Sequence, residues 1–115
     1  MAPTGPRVTP EKKKPRLVQH ILQGKVQQFE LEAVAEKISI AWRTLCRRLE
    51  IPEYRIQAFD VEHRELKEKA YQGLLLWQAE KLEDSTYEVL YHALIKCGRK
   101  DMAEDFCTYE VLEEA

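Results

Sequence analysis

Between residues 63 and 82 the sequence HRELKEKAYQGLLLWQAEKL places apolar residues at Leu66, Ala70, Leu74 and Trp77, spaced by four, four and three. That spacing draws one buried stripe down a helix. Tyr71, Leu75 and Leu82, with Leu76 beside them, widen the stripe beyond what a helix lying on a surface needs. The first turns are polar, and Arg64–Glu68 and Glu65–Lys69 stand four apart, where opposite charges face each other. A helix wet at its start and apolar over most of its second half must have neighbours on several sides. The stretch predicts the central helix of an all-α domain.

The chain around it, 115 residues, has room for one domain with a core that needs neither disulfide nor metal. A hydrophobic content of 44% with 33% charged residues fits a soluble globular protein rich in surface charge. No apolar run approaches the roughly 18 residues of a membrane span, so no membrane insertion is expected. The first residues lack an apolar h-region, so no secretory signal is expected either. Cys46, Cys97 and Cys107 form an odd set without CxxC spacing. They read as free thiols of a reducing compartment, packed as small core hydrophobes. The net charge of −2 is unevenly divided: residues 1–28 carry six cations against Glu11 alone, +5, which leaves −7 for the rest. A basic tail precedes an acidic folded part.

Four of the five prolines fall within residues 1–16, MAPTGPRVTPEKKKPR. Residues 1–28 are therefore expected to form a disordered or weakly structured basic tail, and 29–115 the folded domain. Lys13, Lys14 and Arg16, around Pro15, fit a short nuclear localisation pattern, against the plainer reading of a solubilising tail. Leu17, Ile21 and Leu22 have helical spacing, but Gly24 interrupts them, so any helix there is short. No strand signal stands out.

From Phe29 the helical pattern is steady. A first helix runs through Leu31, Val34, Ala35 and Ile38, with Ser39 as a break and N-cap. Trp42, Leu45 and Leu49 define a second over residues 40–49, ended by Ile51-Pro52. Pro52 is expected as the first residue of a third helix burying Ile56 and Phe59. After the central helix, Ser85 and Glu88 read as a capping box for a fifth helix through Tyr87, Leu90, Leu94 and Cys97, with Gly98 as its C′ residue. Asp101 can cap a last helix through Met102, Ala103 and Phe106, which fades into the acidic end.

These residues assemble no catalytic centre, no cofactor cradle and no metal site. His20, His63 and His92 are far apart, with no Cys, Asp or Glu at a recognised ligand spacing. The four glycines are scattered, and Ser39 and Ser85 are better explained as caps than as nucleophiles. Carboxylates on exposed helix faces read as solvated surface. Cys46 would be a nucleophile only if the fold brought a histidine to it. What remains is directional charge: Arg43, Arg47, Arg48 and Arg55 on helices two and three, Glu83 and Asp84 after the central helix, and Glu104, Asp105 and Glu110 further on. Such faces can dock head to tail on copies or relatives, although exposed charge pairs are typically worth only about 0–1 kcal/mol each.

The pieces AWRTLCRRLEI (residues 41–51), YRIQAF (54–59), LLLWQ (74–78) and TYEVLYHALIKCGRKDMAEDF (86–106) together resemble a death domain. Trp42, Leu45 and Leu49 take the places of that family's second-helix pattern, and Trp77 that of its tryptophan late in the fourth. Thr86, Leu90, Ala93 and Leu94 match T-x-x-x-L-x-x-A-L in the fifth, and Ala103 and Phe106 the start of the sixth. The resemblance implies a six-helix antiparallel Greek-key bundle without catalysis, with Trp42 and Trp77 in the core. It implies homotypic assembly with other death-domain proteins in apoptotic or inflammatory signalling, through asymmetric contacts in the cytoplasm. The positions it maps to docking faces are Arg43, Arg47, Arg48 and Arg55, the corner Glu83 and Asp84, and the corner Arg99 and Lys100. The first helix, residues 30–37, is shorter than the family's. The R-x-D-L signature of the sibling death-effector family is absent from the last helix. The competing reading is a small nuclear domain whose basic tail binds nucleic acid, but an acidic folded part repels phosphate.

Overall fold

The structure, a computed structural model, describes residues 15–113. Six α-helices follow one another: α1 (Gln28–Ile38), α2 (Trp42–Arg48), α3 (Glu53–Glu62), α4 (Leu66–Lys81), α5 (Tyr87–Lys96) and α6 (Lys100–Cys107). Short 3-10 turns at Ser39–Ala41 and Leu82–Asp84 precede α2 and follow α4. Two strands, β1 (Arg16–Ile21) and β2 (Thr108–Glu113), pair antiparallel into a ribbon. The helices are the all-α bundle expected from the sequence; the ribbon corrects the reading that no strand is present. Residues 1–14, which hold Lys13, Lys14 and the first half of the expected tail, lie outside the described residues.

Helix α4 packs against α1, α2 and α3. Its stripe is buried at Ala70, Leu74 and Trp77, whereas Leu66 sits at the edge and Leu82 is exposed. Trp42, Leu45, Leu49, Ile56, Leu90, Leu94 and Met102 complete the core with Leu31, Val34 and Ile38 of α1. Val26, ahead of the first helix, is also in the core. Its amide donates to the Ser85 carbonyl at 3.0 Å, its carbonyl accepts from Gln78 Nε2 at 2.8 Å, and the Gly24 carbonyl accepts from the Tyr87 amide at 3.1 Å. These bonds tie residues 24–26, a segment the sequence left as tail, to α4 and to the start of α5.

Several helix boundaries differ from the sequence reading for local reasons. Ser39 takes φ 55° and ends α1 instead of capping the next helix with its side chain. Pro52 is extended and stands at the N-cap of α3, its carbonyl accepting from the amides of Arg55 and Ile56. Thr86, not Ser85, caps α5, its Oγ1 accepting from the Val89 amide at 3.3 Å. Ser85 is buried, and its hydroxyl donates back to the Leu82 carbonyl at 2.6 Å. Arg99 rather than Asp101 occupies the N-cap of α6. Gly98 is the C′ residue of α5 as expected, at φ 77°, with the Arg99 amide on the Leu94 carbonyl and the Gly98 amide on the Ile95 carbonyl.

Gly73, buried in α4, marks where α4 meets α2: a Cβ there would overlap the Cys46 sulfur. Because alanine favours a helix over glycine by about 0.8–1 kcal/mol, the sign of Gly73→Ala depends on that sulfur. We expect Gly73→Ala to destabilise by about 1–3 kcal/mol, the usual effect of overpacking. In a Cys46→Ala background the same change should become neutral or stabilising. Urea unfolding of the four-member cycle checks this; additive effects would show that the helices do not touch at this point.

Candidate docking surface

Helices α2 and α3 carry the four arginines singled out in the sequence, and most of them are engaged within the molecule. Arg43 pairs with Asp60 on α3, and Asp60 also accepts from Lys69 of α4 at 2.6 Å. Three helices thus share one carboxylate. Arg47 forks onto Glu53, with Nε and Nη2 each 3.0 Å from a carboxylate oxygen. Arg55 lies with its guanidinium carbon 5.6 Å above the Phe59 ring. Its Nε is buried without an acceptor among the described residues.

Arg48 is different. It is exposed at the end of α2, and among the described residues it makes no ion pair. It lines a depression of about 250 Å³ with Leu49, Trp77 and Val89 as apolar walls and Glu50, Lys81 and Asp84 as polar ones. Lys81 donates to Glu50 at 2.9 Å, which neutralises part of that rim. Glu50 holds φ 69° and redirects the chain so that Ile51 enters the core. Arg48 and Asp84, assigned from the sequence to separate faces, therefore border one depression.

The other candidates lie apart from it. Glu83 extends into solvent 3.8 Å from Lys25. Arg99 forks onto Asp101 at 3.2 Å and donates to the Lys37 carbonyl at 3.3 Å, tying the start of α6 to the end of α1. Lys100 reaches Glu104 at 3.8 Å on the exposed side of α6. The sequence showed the charges but not their internal partners, because pairs such as Arg43–Asp60 form only when α2 and α3 fold together.

The chemistry of the remaining groups is quiet. Burial pushes the Cys46 and Cys107 thiols up to about 12, so both are protonated at neutral pH and poor nucleophiles. No group of three or more His, Cys, Asp or Glu among the described residues is placed to hold a metal ion. No helix of the described residues is long and apolar enough to cross a membrane.

Asp60 is held below the usual carboxylate range, chiefly by the hydrogen bond from Lys69 and then by Arg43. A depressed folded value means this carboxylate contributes stability above its unfolded pKa of about 3.9, and loses it as pH falls through the folded value. We expect Asp60→Asn to melt below wild type at neutral pH, with the difference narrowing below about pH 4 as wild type loses the same charge. Parallel acid limbs in the two proteins would contradict the assignment.

Residues 28–109 match the Death domain family. The chain belongs to the death-domain family. Over 75 residues, 65% of its length, this death domain is 32% identical to THO complex subunit 1 of Homo sapiens, and equally to that of Mus musculus. It spans 11% of the length of these curated relatives. The matched span includes all six helices, with β1 before it and most of β2 after it. A death domain is a protein-interaction module, which turns attention to the exposed charge rather than to the buried thiols.

Proposed function

We propose that this death domain is a docking module without enzymatic activity, joining other death-domain proteins or copies of itself by homotypic contacts in apoptotic or inflammatory signalling. The observation that supports this reading most is Arg48, an exposed cation with no ion pair among the described residues, beside the apolar walls formed by Leu49, Trp77 and Val89. An apolar patch rimmed by charge is how interfaces combine affinity with orientation. Arg48 leads the basic half, with Arg47, Arg55 and Arg43 behind it. Glu83 and Asp84 supply the acidic corner, and Arg99 and Lys100 a further contact. The relatives are named as subunits of a complex, in keeping with a part whose work is assembly.

Capture of partners on the tagged chain from extract, with and without nuclease treatment, tests the class of function. The expected result is recovery of a death-domain protein at low salt, diminishing as salt screens the exposed charges. Recovery only of proteins whose capture depends on nucleic acid would overturn the reading.

We further propose that the module works in the cytoplasm and also enters the nucleus, directed by Lys13, Lys14 and Arg16. Tagged Lys13→Ala with Lys14→Ala should then lose its nuclear fraction. An unchanged distribution would remove the signal.

A further inference from the structure

The β1–β2 ribbon has no part in the docking surface described above. Leu17 pairs with Leu112, Val18 with Val111 and His20 with Tyr109, whose rings stack 5.5 Å apart. At its inner end Ile21 and Leu22 pack on the core, and the Leu22 amide donates to the Cys107 carbonyl at 2.8 Å. At its outer end Leu17 and Leu112 face each other yet remain 63% and 62% exposed. Each strand has a single neighbour, so among the described residues the ribbon has two open edges. A two-stranded ribbon is marginal in water by itself, and open edges are templates for another strand.

The charges choose which strand. From Lys12 to Phe29 the chain has no carboxylate, and β1 follows Lys12, Lys13 and Lys14 and opens with Arg16. From Asp101 onward it has no lysine or arginine, and β2 carries Glu110 and Glu113. Pairing β1 with β1, or β2 with β2, sets like charges together. Pairing β1 with β2 sets opposite charges together and repeats the apolar contacts already made inside each molecule.

We propose that the ribbon is a self-association edge, in which β2 of one copy takes β1 of a second copy as its next strand. Each copy then offers one basic and one acidic edge. The contact is heterologous, and a series of copies adds in one direction instead of closing as a two-fold dimer. The mode is independent of Arg48 and of homotypic docking through the helices.

Sedimentation of the intact chain over a wide concentration range, at low and high salt, tests it. The weight-average mass should climb past that of a dimer at low salt and fall back as salt is added. Glu110→Lys should lower the weight-average mass reached at low salt, because it takes the charge of β2 from −2 to 0 against a basic β1. That side chain stands opposite Gln19 within the molecule, so the internal Arg16–Glu113 pairing is left in place. Arg48→Glu removes self-docking through the helices, so the association that persists in that variant is the part assigned to the ribbon. It should still climb past a dimer at low salt. A chain that stays monomeric, or stops at a dimer, overturns the proposal. So does association that is lost with Arg48→Glu but kept with Glu110→Lys, which would place it on the helices. If Glu110→Lys disturbs the ribbon, a mixture of two differently isotope-labelled wild-type samples gives a separate answer. Intermolecular contacts between β1 and β2 residues support the edge, and associated copies that lack them refute it.

Discussion

Truncating Trp77 to alanine is expected to lower the unfolding free energy by about 3–5 kcal/mol, the usual range for a fully buried aromatic. Trp77 is 1% exposed and sits on the side of α4 that meets the other helices. The loss is a large share of the roughly 5–15 kcal/mol that holds a domain folded. The melting temperature should fall by more than about 10 °C. Trp77→Phe should lose much less, because it keeps most of the apolar contact and removes an indole N–H that finds no acceptor among the described residues. Thermal and urea unfolding check both variants. If Trp77→Ala melts within a few degrees of wild type, α4 is not the centre of the core.

The stripe that carries this expectation was legible because helical burial repeats at short range. Ala70, Leu74 and Trp77, or Leu45 and Leu49, declare themselves within two turns. Gly98 was equally legible, since a glycine just past an apolar pattern has few other uses. The ribbon was hidden for the opposite reason. Leu17 and Ile21 stand four apart, which suits a helix, and two apart through Gln19, which suits one face of a strand. Only pairing with residues at the far end of the sequence decides between them. The alternation that marks a half-buried strand is also missing, since Leu17 and Leu112 are exposed on one face and Val18 and Val111 are half-buried on the other. Thr86 and Ser85 show a finer limit. Both are good caps, and the bonds from residues 24–26 to the start of α5 decide which one serves.

The residues proposed for docking were legible by type but not by availability. Arg47 and Arg48 are neighbours in sequence, and both are exposed. Arg47, however, is held by two hydrogen bonds to Glu53, so reversing it would set two carboxylates together between α2 and α3. Arg48 has no such tie among the described residues, which makes Arg48→Glu the cleaner probe. Its melting temperature should match wild type, because an exposed substitution away from special features usually shifts stability by less than about 0.5 kcal/mol. Its effect on binding should be large. A charge that becomes like that of its partner across an interface costs several kcal/mol, and about 1.4 kcal/mol is already tenfold in affinity.

The measurement that tests the account most directly is the capture of death-domain proteins by wild type and by Arg48→Glu, side by side at low salt, with both proteins shown to be folded by circular dichroism. Wild type should retain a death-domain partner, and Arg48→Glu should lose it while melting at the same temperature. A folded Arg48→Glu protein that captures the same partner at the same yield would contradict the docking role given to this surface.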